Sequence, residues 1–495
     1  MADEIHVHID VPEFEAAKYA FRVLLATLDS SVLFHKSRPS GLSPEAAVIT
    51  YSPSAMAPTR AKHLQLRASR KLWDHYRKDT SLPPSPLPRI PLAQLKVQPS
   101  ARLRDPLVLP YLAEPGPPVA EVRRESGPDS RVSMEIGVDL VASTFFWISR
   151  YEETLIGERD GFGRIPQERL QATRERVTGR PLVDEYRELL MIWLRIIGAR
   201  VAARKPPFRV FLTHDVDSGI GITGFQQHAE SGLRAFYREA IRARRLRTGL
   251  RGLAQEMARG LGRVDDAFLF RDIVDLDTEF GFPSFFFLMA NGTHPGDATY
   301  DILGDASHRV ITAIREAGGS VGLHVGLNAH GALAQLGAEW ERLRQADPLA
   351  WPASRSHFLA FFAPATWRQL SELGFLVDST IGFSDHMGFG AGTSHAFRPF
   401  DVERREILPI WELPLTLMDT HLFRGPESDD AERISAVREV AARVRAHGGC
   451  FVINWHNVVF FGHYREVYRA ILSDLRDACP VRLEDLPGEN GSIIW

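Results

Sequence analysis

Two carboxylates one residue apart close an apolar run at "FLTHDVDSG", residues 211–219. In an extended strand Asp215 and Asp217 point the same way, about 6.6 Å apart along the chain, and His214 points to the other side. Such a pair can divide the work of hydrolysis. One carboxylate ligates a cation, and its neighbour takes a proton from water activated there. A bare Asp-x-Asp is also common in surface turns, so the pair needs company. "SVGLHVGLNAH" (320–330) ends an apolar stretch on His324, with Asn328 four residues later and His330 six later. A spacing of four brings two side chains onto one face where a helical turn follows. "RSHFLAF" offers Arg355 and His357, and "CFVINWHNVVF" ends on Trp455, His456 and Asn457. If these ends converge, oxygen and imidazole ligands, a carboxylate base and a histidine acid make a mononuclear metal hydrolase.

Other residues carry less. Asp378 in "VDST" either lines the groove or sits in a strand-end turn. Trp455 is either an apolar wall for substrate or core. "ELPLTLMD" (412–419) reads as a barrel strand with Glu412 or Asp419 near the cleft, and His294, His308 and His395 read as surface or structural.

The elements that must position these residues follow from residue 206 onward. Strands at "RVFLT", "SFFFLMA", "SVGLHV", "FLAFFA", "FLVDST" and "CFVINWH" alternate with helical stretches, the first from about 225 to 280. Alternation of this kind argues for parallel strands joined by crossover helices, with chemistry at the carboxyl ends of the strands. Ahead of it lie a proline-rich stretch (82–118), an apolar segment (136–153) that is a buried strand or helix start, and an amphipathic helix over 182–205. Pro206-Pro207 stops that helix. The division expected is an N-terminal accessory domain, 1–205, and a catalytic domain, 206–495.

The whole chain narrows the classes. Its 495 residues exceed one ordinary domain. A net charge of -3 gives no global signal for nucleic acid. Cys450 and Cys479, with no CxxC pair, read as reduced thiols. No secretory signal is evident, and "LLMIWLRIIGARVAA" is broken by Arg195 and Arg200, so the expectation is a cytoplasmic protein without an integral membrane span. The arginine-rich run 234–263, with Phe236, Leu246, Leu250 and Leu253, reads as a solvated helix face or as a peripheral contact with a membrane surface.

The ordered set THDVD, GLHxxxN, RxHFL, DSTIGF, ELPLTLMD and WHN resembles the polysaccharide deacetylase superfamily (carbohydrate esterase family 4, the NodB-homology fold). The match extends over roughly residues 130–475. "STFFWISRYEE", "RDGFGRIP" and "RPLVDEY" resemble a bacterial branch with an extra N-terminal domain, found near surface-polysaccharide biosynthesis. The resemblance implies an irregular (β/α) barrel, one divalent cation, often zinc, and an acetylated amino sugar or glycan precursor as substrate. Position by position it makes Asp215 the general base, Asp217 and His324 metal ligands, and His456 the general acid. Arg355 falls where an arginine steadies the base. Asn328 stands where relatives carry the second ligand histidine, with His330, His357 or water as other candidates to complete the shell. His357, Trp455 and Asp378 are expected around the substrate. Two other readings fit the same residues: hydrolysis of a cyclic amide, and a non-catalytic glycan-binding or assembly protein, which Asn328 favours.

Overall fold

A computed structural model describes residues 3–43, 45–56, 62–114, 119–125, 131–221, 266–423 and 429–487, with isolated positions between 233 and 257. Apart from those positions, the arginine-rich run lies outside the described residues.

Alternating apolar and polar residues in "IHVHI" set the first layer. Six strands form one sheet: β1 (Ile5–Ile9), β2 (Val32–His35), β3 (Ala47–Ser52), β4 (Lys62–Arg67), β5 (Ala120–Glu125) and β6 (Arg131–Ile136). Their order is β2-β1-β3-β4-β6-β5, and β5 alone runs antiparallel. Ile5, Val7, Ile9 and Tyr51 share one face, where Tyr51 meets Phe21 of helix α1 (Phe14–Leu25) edge to face. The apolar segment at 136–153 resolves into helix α2 (Leu140–Ile148), capped by the Asp139 carboxylate, which accepts from Ala142 N–H. The amphipathic helix is α3 (Leu182–Ile196), shorter at its basic end than expected.

The second sheet begins at Arg209. Its strands are β7 (Arg209–Val216), β8 (Ser284–Leu288), β9 (Ser320–Val325), β10 (Ala353–Ser356), β11 (Val377–Asp378), β12 (Trp411–Glu412), β13 (Leu417–Met418), β14 (Cys450–Asn454) and β15 (Cys479–Pro480). The order is β12-β11-β10-β9-β8-β7-β14-β13, all parallel, with β15 also on β7. The sheet curls, and the chain between β12 and β13 spans its open seam. There Leu413 N–H bonds Asp378 C=O, and Thr416 N–H bonds Val452 C=O. The expected strand "FLAFFA" is not one. The strand is the more polar "ASRS" before it, because Arg355 and Ser354 find buried partners that make a polar strand tolerable.

The pleat sorts the strand residues into two sets. Phe211, Phe285, Phe287, Ala353, Val377 and Val452 pack inside the curl. Their neighbours Leu212, Phe286, Ile453 and Trp455 face out and join a larger apolar cluster that also includes the helices on the first sheet. Gly322 is inward and has no room for a side chain, since a Cβ would sit 2.7 Å from Ala353 O. The two sheets therefore share continuous apolar packing. Asp184 of α3 adds polar contacts, accepting from Thr393 Oγ1 and Ser394 Oγ at 2.7 and 2.6 Å.

Candidate active site

The same inward parity that fills the curl with phenylalanine brings polar residues to its carboxyl end. Thr213 and Asp215 continue the Phe211 row, His324 the Gly322 row, Arg355 the Ala353 row and Asn454 the Val452 row. Asp217 follows β7 at its mouth.

Asp217, His324 and His357 each offer a ligand atom, and these atoms lie within 4.8 Å of one another. His324 Nε2 is 3.1 Å from Asp217 Oδ1, and His357 Nε2 is 3.8 Å from it. Both imidazoles have their other nitrogen tied. His324 Nδ1–H donates to Arg355 C=O at 2.9 Å, and His357 Nδ1–H donates to Asp297 Oδ1 at 3.0 Å. With Nδ1 committed as a donor, Nε2 is the nitrogen that each ring turns toward the carboxylate and the one that would ligate a cation there. One carboxylate and two imidazoles leave a position open, the donor set of a catalytic divalent site. Burial opposes charge on Asp217, but the bond from His324 and the nearby imidazoles hold its carboxyl well below the usual carboxylate range. For His324 the balance is the reverse: burial pulls down, while Asp215 and Asp217 push its pKa up.

Asp215 stands beside this group. Its Oδ1 accepts from Arg355 Nη1 at 3.0 Å and its Oδ2 from Asn454 Nδ2 at 2.8 Å. Arg355 is fully buried, and three more of its N–H groups go to Thr213 Oγ1, Ser379 O and Ser379 Oγ. Its bond to Asp215 holds that carboxylate in place. Across the mouth, His456 Nδ1–H donates to Asp419 Oδ1 at 2.7 Å, and its Nε2 lies 3.6 Å from Asp217 Oδ2. Burial disfavours the imidazolium, but the charges of Asp419 and Asp217 override it and raise the pKa to about 10. A cavity of about 90 Å³ joins Asp215, Asp217, His324, His357 and His456, with Phe358, Leu359 and Met418 as its apolar wall.

Three expectations need correcting. Asn328 is not among the clustered donors. Its side chain is exposed and donates to Thr293 Oγ1 at 3.1 Å. The chain after β9 enters a short 3-10 turn, Leu327–Ala329, so a spacing of four does not return to one face. Glu339 and Asp297 hold that turn through the N–H groups of Gly326 and Leu327. His357 occupies the position instead, and His330 packs on Phe362, 4.2 Å between centroids. Trp455 is not a cavity wall. Parity turns it outward onto Tyr468 and Phe423, and Met418 and Leu359 provide the apolar surface. Asp378 faces out as well, since Val377 is the inward residue of β11. It accepts from Ser354 Oγ and Thr380 Oγ1, and burial raises its pKa. Glu412 bonds Trp367 and Ile381 N–H away from the cleft. His214 faces out, bonded to Asp277 and Trp455 O.

Asn454 and Asp297 were missed. Asn454 was legible, sharing the parity of Val452. Asp297 sits in an irregular loop with no periodicity to betray it.

The fold and the donors together define a parallel α/β half-barrel with a candidate metal site at its mouth. Residues 6–197, ahead of that barrel, match a family of unknown function, DUF7033. No curated protein matches the chain. Among solved structures, a candidate polysaccharide deacetylase from Mycobacterium smegmatis is similar at 20% identity and TM-score 0.37, over 58% of this chain and 90% of that one. A candidate polysaccharide deacetylase involved in O-antigen biosynthesis from Bordetella bronchiseptica is similar at 14% identity and TM-score 0.26, over 57% and 90%. Agd3, a carbohydrate deacetylase, is similar at 8% identity and TM-score 0.38, over 98% and 87%. Among the described residues, no helix is long and apolar enough to cross a membrane.

Proposed function

We propose that the protein is a divalent-cation-dependent amide hydrolase that removes the acetyl group from an acetamido sugar of a surface-glycan precursor. One observation supports this most: a carboxylate and an imidazole, each with a fixed partner, flank a three-donor cluster from two sides of one small cavity. Asp217, His324 and His357 would hold the cation, with zinc the first candidate. The cation supplies polarisation of the amide carbonyl and a more acidic water.

The chain's own residues do the rest. Asp215 accepts the proton of the attacking water at a carboxylate oxygen, and Arg355 and Asn454 keep that carboxylate aimed. His456, protonated at neutral pH, passes its Nε2 proton to the leaving amine while Asp419 holds Nδ1. The cavity's volume suits an acetamido group better than a whole sugar, so the ring would lie at the mouth. Asn328 had favoured a glycan-binding protein without catalysis, and His357 as third donor removes that argument.

The test is acetate release from a panel of N-acetylated nucleotide sugars and oligosaccharides, with and without chelator. Release that stops with chelator and returns with Zn²⁺ supports the reading. No release from any member, from protein shown to carry its ion, counts against it.

A further inference from the structure

A five-residue loop far ahead of the barrel in sequence, Asp160–Arg164, reaches the catalytic cavity. Its own hydrogen bonds make it rigid. Asp160 Oδ1 accepts from the N–H groups of Phe162 and Arg164 at 2.9 and 3.0 Å, and Asp160 N–H bonds Arg164 O at 2.7 Å. Gly163 closes the turn at φ +78°, which a side chain would strain. The guanidinium is then aimed. Its Nε and Nη2 lie on Asp160 Oδ2 at 2.9 and 2.8 Å, which leaves Nη1 to donate to Phe358 C=O at 2.8 Å.

Phe358 is an unusual acceptor. Phe358 and Leu359 have φ of 56° and 55°, two successive non-glycine residues in the left-handed region. Such a turn persists only where its surroundings hold it. The loop grips it twice, through that carbonyl and through the Phe162 ring, stacked on Phe358 with centroids 4.3 Å apart. His357 comes directly before the turn, and its ring stacks on Phe358 at 3.9 Å. Arg164 itself lines the cavity with Asp215 and Asp217.

We propose that this loop is part of the catalytic centre: Arg164, as a positioning residue, holds the left-handed turn that keeps His357 on the cation. The inference rests on the reading of Asp217, His324 and His357 as the cation site. It makes the region matched by the family of unknown function a working piece of the barrel's chemistry.

The experiment measures Zn²⁺ affinity by competition with a chromophoric chelator, and the visible spectrum of the Co²⁺ form, for the full chain and for Arg164→Ala, Arg164→Lys and Phe162→Ala. Thermal unfolding of the chelated proteins checks that each variant folds. Expected are a loss of Zn²⁺ affinity of about tenfold or more in Arg164→Ala, an altered Co²⁺ spectrum, and partial recovery in Arg164→Lys, whose ammonium can still reach the Phe358 carbonyl. Should Arg164→Ala not fold, Phe162→Ala, which leaves the polar contacts in place, carries the same expectation. Unchanged affinity and spectrum in folded variants, beside a wild type that binds one ion, overturn this inference and leave the proposed function standing. A wild type that binds no ion overturns both.

Discussion

His357 donates its Nδ1–H to Asp297 Oδ1 at 3.0 Å, which turns its Nε2 toward Asp217, 3.8 Å away. The third donor of the cluster is therefore set by a carboxylate in the loop after β8. His357→Ala should weaken metal binding by more than about 100-fold, and Asp297→Asn by about 10- to 100-fold. Asn328→Ala should change it by no more than about twofold, since its side chain is exposed. Calorimetric titration of chelated protein with Zn²⁺ compares the three.

Asp215 and Asp217 lie two residues apart and should separate cleanly. Asp215→Asn keeps the side chain's shape and one acceptor for Arg355, gives up the acceptor for Asn454 Nδ2, and removes the base. It should retain the ion while turnover falls about 10²- to 10⁴-fold. Asp217→Ala should instead lower the metal content of the purified protein. Metal analysis and initial rates on the same samples give the answer, and unchanged turnover in Asp215→Asn would refute the assigned base.

The His456–Asp419 pair predicts a pH effect. As the proposed acid His456 would work protonated, and although burial pulls its pKa down, Asp419 and Asp217 hold it near 10. Activity should fall as pH rises through the His456 pKa, which a cation held by Asp217 would bring below 10. Asp419→Asn removes one negative neighbour, lowers the pKa, and so moves the alkaline limb of the kcat/KM profile to lower pH by about 1–3 units.

Away from the cavity, the buried Asp277 accepts from His214 Nε2, Ser284 Oγ and Tyr468 OH at 2.9, 2.6 and 2.8 Å. Asp277→Ala strands all three groups. Denaturant unfolding should show a loss of about 3 kcal/mol or more, with metal affinity in the surviving folded protein nearly unchanged.

Much of the site was legible because strand parity is local. Once "RVFLTHDV", "SVGLHV" and "CFVIN" are strands, an inward Phe211, Gly322 or Val452 places Asp215, His324 and Asn454 inward too. The same rule sends His214, Trp455 and Asp378 outward. Trp455 and Asp378 were misread because their alternation was not followed to the strand end.

Asp215, Asp217, His324 and His456 were singled out in the sequence by residue type, by their places at strand ends and by the resemblance of the motifs that carry them, and all four line one cavity. Arg355 was named as the base's partner too, whereas the third donor was left open among Asn328, His330, His357 and water, and Asn454 and Asp297 were not named. Asn328 loses its place because a 3-10 turn, held by Glu339 and Asp297 from distant segments, replaces the helical turn its spacing required. His357 gains that place because β10 pairs with β9 in a register that sets Arg355 beside His324, followed by a left-handed turn gripped by Arg164. Periodicity records only which face a residue takes. Register and loop conformation depend on hydrogen bonds between residues far apart in the chain, so only the tertiary structure decided them.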